Sequence, residues 1–265
     1  MPAVRRAVVP AAGRGTRMQA VAAALPKELL PIGGRPLLVH ALADLAAGGI
    51  EEALVVVSPE KPQIAAALGG ECAGIRLRYA MQPAPRGLAD ALSLAEEFAA
   101  GGPLFCWLPD NHWRPDPGAP SATAQLLAAH AAAPAATLVA LLERATATFD
   151  PASSGSAGFV EWHRLPGAAP SAPVAIDRVH AKGAAPPPRG TTFLKGFPMT
   201  LWSADLFARI AALRRDPPPG ELDDTPLLMA LAREGRLRGA VLRDGALFDC
   251  GVPLGYARAC AAAST

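Results

Sequence analysis

The sequence has little lysine: four residues, at positions 27, 61, 182 and 195, stand beside 21 arginines in a 265-residue chain rich in Ala, Gly and Pro. A GC-rich coding bias accounts for such a balance, so each retained lysine is a candidate for a specific role. Excess charge is also lacking. A formal net charge of +2 leaves no long basic stripe of the kind that tracks a nucleic-acid backbone, so nucleic acid is not an expected partner. Cys72, Cys106, Cys250 and Cys260 show no C-x-x-C spacing, which reads as structural thiols in a reducing compartment. His112, Trp113, His163 and His180 have no clustered ligand spacing, so no transition-metal role is assigned. Arg5 and Arg6 interrupt the first apolar run, which argues against a signal peptide. The most apolar window, Ser121 to Leu142, is mainly alanine and is broken by Gln125, His130 and Pro134, which argues against a membrane span. A soluble, cytoplasmic protein is expected.

What is present is a βαβ texture over the first 110 residues. Short β-rich runs at Ala7–Pro10, Ala53–Val57, Ile75–Ala80 and Leu104–Leu108 alternate with helical patterns at Pro36–Ala47 and Leu88–Ala99. Uninterrupted apolar runs suit strands buried on both faces, so the sheet is predicted to be mostly parallel. After Asn111 the texture changes, and Pro/Gly-rich loops at 115–120, 165–173, 183–190 and 216–220 separate shorter elements. These are helices at Ala122–Ala133, Ala204–Arg214 and Pro226–Arg233, and strands at Thr137–Leu142, Phe159–Trp162, Ala175–Val179, Phe193–Leu201, Leu237–Leu242 and Ala246–Phe248, followed by a C-terminal helix. Thr225 before Pro226 is predicted to cap its helix. The expected fold is a single α/β domain over 1–265, a Rossmann-like, mostly parallel sheet flanked by helices. Its first half, to about residue 115, carries the nucleotide-binding signals, and a mixed α+β lobe follows.

The strongest local signal is the run Val8 to Arg17, a buried strand entering the turn Ala11-Ala12-Gly13-Arg14-Gly15-Thr16 and ending in a cation. Glycine lets successive backbone N–H groups approach and face one anion, as phosphate binding requires. Two familiar phosphate loops do not fit. A G-x-G-x-x-G needs glycine where Met18 stands, and a Walker loop needs Gly-Lys-Ser/Thr. In Leu25-Pro26-Lys27-Glu28-Leu29-Leu30-Pro31 a lysine sits between two prolines that stiffen the backbone, an arrangement suited to clamping phosphate.

Together the G-x-G-T-R turn, eight spacers and P-K-E-L-L-P resemble the signature of the sugar-1-phosphate nucleotidylyltransferases, especially bacterial UDP-glucose and dTDP-glucose pyrophosphorylases. Met81-Gln82-Pro83 through Gly87-Leu88-Ala89, Leu108-Pro109-Asp110-Asn111, Gly220-Glu221-Leu222 through Thr225, and Phe248-Asp249-Cys250-Gly251 through Leu254-Gly255-Tyr256 extend the resemblance over nearly the whole chain. The resemblance implies a nucleotide-diphospho-sugar transferase fold and in-line attack of a sugar-phosphate oxygen on the α-phosphorus of a triphosphate. Catalysis of this kind is chiefly positioning and charge neutralisation. It assigns triphosphate contacts to Ala11, Ala12, Gly13, Gly15, Thr16 and Asp110, and charge neutralisation to Arg17 and Lys27. Gln82 and Gly87 are assigned to reading the base edge, the amide offering donor and acceptor alike, which implies uracil or thymine. Lys182 is assigned to the sugar phosphate, and Gly158 and Gly196 join it in sugar binding. Mg²⁺ is the implied cofactor, with Asp110 and Asp249 as its carboxylates. The implied partners are a nucleoside triphosphate and a sugar-phosphate-type acceptor, glucose 1-phosphate by default.

The acceptor half departs from the family pattern. Val179-His180-Ala181-Lys182-Gly183 aligns with V-x-E-K-P, so Ala181 replaces a carboxylate that accepts sugar hydroxyls. Thr191, Pro198 and Pro226 replace a common asparagine, aromatic and aspartate. Three alternatives therefore stay open: CTP as donor, another phosphate or phosphonate as acceptor, and nucleotide-sugar binding without turnover. Oligomeric state is open as well.

Overall fold

In the computed structural model, residues 4–22, 25–148, 159–180 and 190–264 are described. The strands are β1 (Arg6–Pro10), β2 (Pro31–Ile32), β3 (Arg35–Pro36), β4 (Glu52–Val57), β5 (Glu71–Cys72), β6 (Ile75–Met81), β7 (Leu104–Trp107), β8 (Asn111–Pro115), β9 (Thr137–Ala145), β10 (Val160–His163), β11 (Val174–Val179), β12 (Thr192–Trp202), β13 (Leu237–Val241) and β14 (Gly245–Asp249). The helices are α1 (Leu37–Ala47), α2 (Pro62–Leu68), α3 (Leu88–Ser93), α4 (Glu96–Ala99), α5 (Ala122–Ala132), α6 (Leu206–Arg215), α7 (Thr225–Arg233) and α8 (Pro253–Ala263).

Ten strands form one sheet in the order β10-β11-β13-β9-β12-β7-β1-β4-β6-β5. The expected parallel arrangement is seen in β7-β1-β4-β6. Beyond β7 the sheet becomes mixed, because β12 runs antiparallel to both β7 and β9. The two halves of the chain thus share a continuous sheet. Alternation along the central strands explains its two-sided burial. Ala53, Val55 and Val57 of β4 pack on the side of α1, α2 and α5, whereas Leu54 and Val56 pack on the side of α3, α6 and α7. Charge would be costly on either face of β1, β4 and β7, whose buried residues are all apolar. The run expected at Ile75–Ala80 is covered on one face only, with Arg76 and Arg78 of β6 exposed in alternation with buried Ile75 and Leu77.

Two local expectations are corrected and one strand is added. The pattern over Leu88–Ala99 is two short helices and not one, since Ser93 Oγ donates to the Asp90 carbonyl at 2.7 Å and the chain turns at Leu94 and Ala95. Asp224, not Thr225, occupies the N-cap of α7, because its carbonyl accepts from Leu227 and Leu228. Asn111–Pro115 opens as strand β8, pairing antiparallel with β14 outside the main sheet. All four cysteines are free thiols, and burial pushes the Cys250 thiol up to about 12. Among the described residues no helix is long and apolar enough to cross a membrane.

Candidate active site

The carboxyl ends of β1, β6 and β7 open onto one cleft of about 530 Å³. Its lining includes Ala12, Gly13, Gly15, Thr16, Lys27, Gln82, Gly87 and Asp110. Segments far apart in sequence are thereby set around one space at the strand ends, where open α/β sheets take ligands.

The glycine turn follows β1 directly. Ala11 donates to the Val56 carbonyl at 2.7 Å, which extends the pairing with β4 and fixes where the turn begins. Gly15 has φ +64, and a Cβ there would lie 3.2 Å from Lys27 Cδ, so glycine serves both the left-handed backbone and the lysine stem beside it. Lys61 supports the turn. Its buried ammonium donates to the carbonyls of Ala11 (3.0 Å) and Gly13 (2.5 Å) and to both oxygens of Glu28 at 2.9 Å. Glu28 is 1% exposed, so the P-K-E-L-L-P segment and the glycine turn are tied together by a buried ion pair. One ammonium thus engages the Ala11 and Gly13 carbonyls, while Ala12, Gly13, Gly15 and Thr16 of the same turn line the cleft.

Lys27 lies in a single 3₁₀ turn after Pro26 and donates to Asp110 Oδ2 at 2.6 Å. Burial lowers the lysine pKa, but the Asp110 and Glu28 carboxylates outweigh it and hold the ammonium above its ordinary value. Burial likewise works to raise the pKa of Asp110, yet Lys27 and then Arg17 hold its carboxyl below the usual aspartate value. Asp110 follows β7, and Asn111 Nδ2 donates to its other oxygen at 2.7 Å.

Asp249 arrives from the opposite end of the chain. In the β8–β14 ribbon it pairs with Asn111, and its Oδ1 accepts from the Gly251 N–H at 3.0 Å. A Cβ at Gly251 would lie 2.9 Å from Asp110 Oδ2, 3.1 Å from Asp249 Oδ1 and 3.3 Å from Arg17 Nη2. Two carboxylates and a guanidinium therefore surround one point that only glycine leaves open. A Cβ at Gly255 would overlap the Asp249 carbonyl, so the second glycine of that motif lets α8 pack against the aspartate. Tyr256 on α8 donates to the Pro31 carbonyl at 2.7 Å, which locks the aspartate segment to the lysine segment.

Gln82, which also lines the cleft, is 4% exposed. Its Nε2 donates to Asp90 Oδ2 at 2.9 Å and to the Gly87 carbonyl at 3.3 Å. Gly87 has φ +104, and a Cβ there would lie 2.5 Å from the Leu222 carbonyl oxygen. Leu222 also donates to the Arg86 carbonyl and accepts from Ala89, so the Glu221-Leu222 segment clamps this loop.

Of the residues singled out from sequence, Ala12, Gly13, Gly15, Thr16, Lys27, Gln82, Gly87 and Asp110 line the cleft. Arg17 and Asp249 meet Asp110 at Gly251. Ala11 is buried and contributes its carbonyl to Lys61. Gly196 pairs with Leu141 inside the β12–β9 ladder, beside a register irregularity, and does not line the cleft. Gly158 and Lys182 lie outside the described residues, as does Ala181. Sequence reasoning missed Glu28, Lys61, Asp90, Arg214, Glu221 and Asp223. For Lys61 a signal existed in the scarcity of lysine. For Asp90 none did, since one aspartate in a helix is an ordinary surface residue.

Comparison with known proteins gives the following. A family model described as "Nucleotidyl transferase" matches residues 6–150. A glucose-1-phosphate thymidylyltransferase of Actinoplanes sp. is 40% identical over 108 residues, which are 40% of this chain and 36% of that protein. A CMP-5'-(3-aminopropyl)phosphonate synthase of Streptomyces rubellomurinus is 40% identical over 95 residues, 35% of this chain and 15% of that protein. The chain thus spans well under half the length of these two curated relatives. In three dimensions the chain is similar to a UDP-glucose pyrophosphorylase solved with UDP-glucose, with a TM-score of 0.82, 20% identity and 98% of each chain covered. At that identity the likeness concerns the fold, the nucleotide-diphospho-sugar transferase type.

Proposed function

Since the chain belongs to the nucleotidyl transferase family, we propose that it moves a nucleotidyl group from UTP or dTTP to a sugar 1-phosphate, glucose 1-phosphate by default, and releases pyrophosphate. The observation that carries this reading is the convergence of Asp110, Asp249 and Arg17 on the open point at Gly251, with Lys27 bonded to Asp110 beside it. The donor set fits Mg²⁺, a hard cation that takes one or two carboxylates and fills its remaining positions with water and substrate phosphates. Asp110 and Asp249 would hold it, and the ion would supply positive charge to the phosphate oxygens.

The rest of the work falls to the protein. Amides of the glycine turn, braced through Lys61, hold the triphosphate so that an acceptor oxygen attacks the α-phosphorus in line. The bond from the α-phosphorus to the bridging oxygen of pyrophosphate breaks as the bond to the acceptor oxygen forms. Arg17 and Lys27 balance the charge that accumulates on the departing pyrophosphate. Lys182, by the V-x-E-K-P alignment, holds the acceptor phosphate. A second reading, CTP with a phosphonate or other phosphate acceptor, is favoured by the match to the Streptomyces synthase and by Ala181. Pyrophosphate release across a panel of UTP, dTTP, CTP, ATP and GTP with sugar phosphates and phosphonates tests both readings. No release with any pair, alongside tight nucleotide-sugar binding, would replace both with a non-catalytic binder.

A further inference from the structure

A glutamine amide offers two donors on nitrogen and an acceptor on oxygen, and it ordinarily presents either end to a ligand. In this cleft Gln82 has no such freedom. Both of its donors are taken, by Asp90 Oδ2 at 2.9 Å and by the Gly87 carbonyl at 3.3 Å. A carboxylate and a backbone carbonyl only accept, so turning the amide over would replace two hydrogen bonds by two oxygen–oxygen repulsions. With the residue 4% exposed, water has little room to restore the loss. Asp90 is itself anchored. Arg214 of α6 donates to its other oxygen at 2.8 Å and to Ser93 Oγ at 2.7 Å. Gly87 is anchored by its contact with Leu222. The part of the Gln82 amide left for a ligand is therefore the carbonyl oxygen, to which no donor among the described residues is bonded.

We propose that Asp90, acting through Gln82, is a specificity-determining residue: it makes the base-facing amide a fixed acceptor, so the cleft takes a base with an imino N–H, uracil or thymine, and rejects cytosine. The proposal rests on the nucleotidyl-transfer reading of the cleft and selects between its two donor classes. Uracil and thymine carry hydrogen on N3 and donate to Gln82 Oε1. Cytosine in the same position presents the lone pair of an unprotonated N3, oxygen against nitrogen with no proton between. Sliding the base to offer the cytosine amino group instead would drag the ribose and phosphates off the glycine turn that Lys61 holds in place. The Asp90–Gln82 pair thus acts against CTP by leaving a buried acceptor opposed, the kind of mismatch that discriminates well in polar sites.

The test uses the full-length protein with Mg²⁺ and a triphosphate but no acceptor, reading affinity by titration calorimetry and by the rise in melting temperature. Wild type is expected to bind UTP or dTTP at least about tenfold more tightly than CTP, the scale of one neutral hydrogen bond made against one opposed. In Asp90→Ala the amide is held only by the long bond to Gly87, and the UTP-to-CTP ratio is expected to fall about tenfold. Arg214→Ala removes the ion pair but leaves the Gln82 bond, and is expected to keep the wild-type ratio while weakening both triphosphates alike. An Asp90→Ala protein that keeps the wild-type ratio would show that Asp90 only supports the helix, and would overturn the proposal alone. A wild type that prefers CTP would overturn it too, while leaving nucleotidyl transfer standing. If no triphosphate binds or raises the melting temperature of wild type, the nucleotidyl-transfer reading itself falls and the proposal falls with it.

Discussion

Asp249 lies directly across the β8–β14 ribbon from Asn111, and this cross-strand relationship brings its carboxylate to the Gly251 gap beside Asp110. If both carboxylates hold Mg²⁺, Asp110→Asn and Asp249→Asn are each expected to nearly abolish turnover while the melting temperature stays close to that of wild type. Gly251→Ala is a sharper test, because its methyl would stand 2.9 Å from Asp110 Oδ2, where the ion and its waters belong. Rates near wild type at saturating Mg²⁺ in either asparagine variant would remove that residue from the ligand pair.

Lys61 and Glu28 form a buried pair, and removing one partner strands the other charge. Lys61→Met is expected to cost about 3–5 kcal/mol in urea unfolding and to weaken triphosphate binding as the Ala11 and Gly13 carbonyls lose their donor. The double variant Lys61→Met, Glu28→Leu leaves no buried charge and should recover much of the stability but not the binding. A single variant within about 1 kcal/mol of wild type would mean that the pair is dispensable.

Arg17 Nη2 faces the same point at Gly251 as the carboxylates of Asp110 and Asp249, and its charge helps to hold the Asp110 carboxyl below the usual aspartate value. Arg17→Ala is expected to lower kcat about 10²–10³-fold, by analogy with the loss of one preorganised electrostatic donor, with a smaller change in triphosphate affinity. A change confined to triphosphate KM would reassign Arg17 to ground-state binding.

Away from the cleft, burial works to raise the pKa of Asp205, but hydrogen bonds from Ser203, Arg236 and Arg209 bring it down to about 2. A folded pKa below the unfolded one contributes stability that is complete above the ordinary aspartate value near 3.8 and is lost as pH falls toward 2. Urea unfolding at pH 5 and pH 3 should therefore show a larger acid-induced loss in wild type than in Asp205→Asn. Equal losses would place the acid sensitivity elsewhere.

Much of this molecule was legible from its residues. The apolar runs pointed to β1, β4 and β7 as doubly buried neighbours, because a strand covered on both faces has little place for a polar residue, whereas β6, grouped with them, carries Arg76 and Arg78 on an exposed face. The glycine turn and Lys27 stood out because phosphate binding suits such residues in short motifs, and Gln82, Asp110 and Asp249 stood out through the family resemblance of the motifs around them. Register and direction were not legible. The antiparallel β12 that turns the sheet mixed, the break after α3 and the β8 strand all depend on which segments meet, and local periodicity is blind to that.

The Gln82 amide marks the boundary. By itself the sequence placed a glutamine in a loop that resembles the family's base reader, and from residue type alone an amide is both donor and acceptor. Only the tertiary structure decided that its donors are spent on Asp90 and Gly87 and that its oxygen is left for a ligand. Lys61 follows the same rule: the scarcity of lysine was visible in composition, whereas its place beside the glycine turn came from the fold, which sets the residue before α2 against the Ala11 and Gly13 carbonyls. The physical reason is that a hydrogen bond belongs to a pair of groups, and a sequence lists the groups without saying which of them folding brings within about 3 Å of one another.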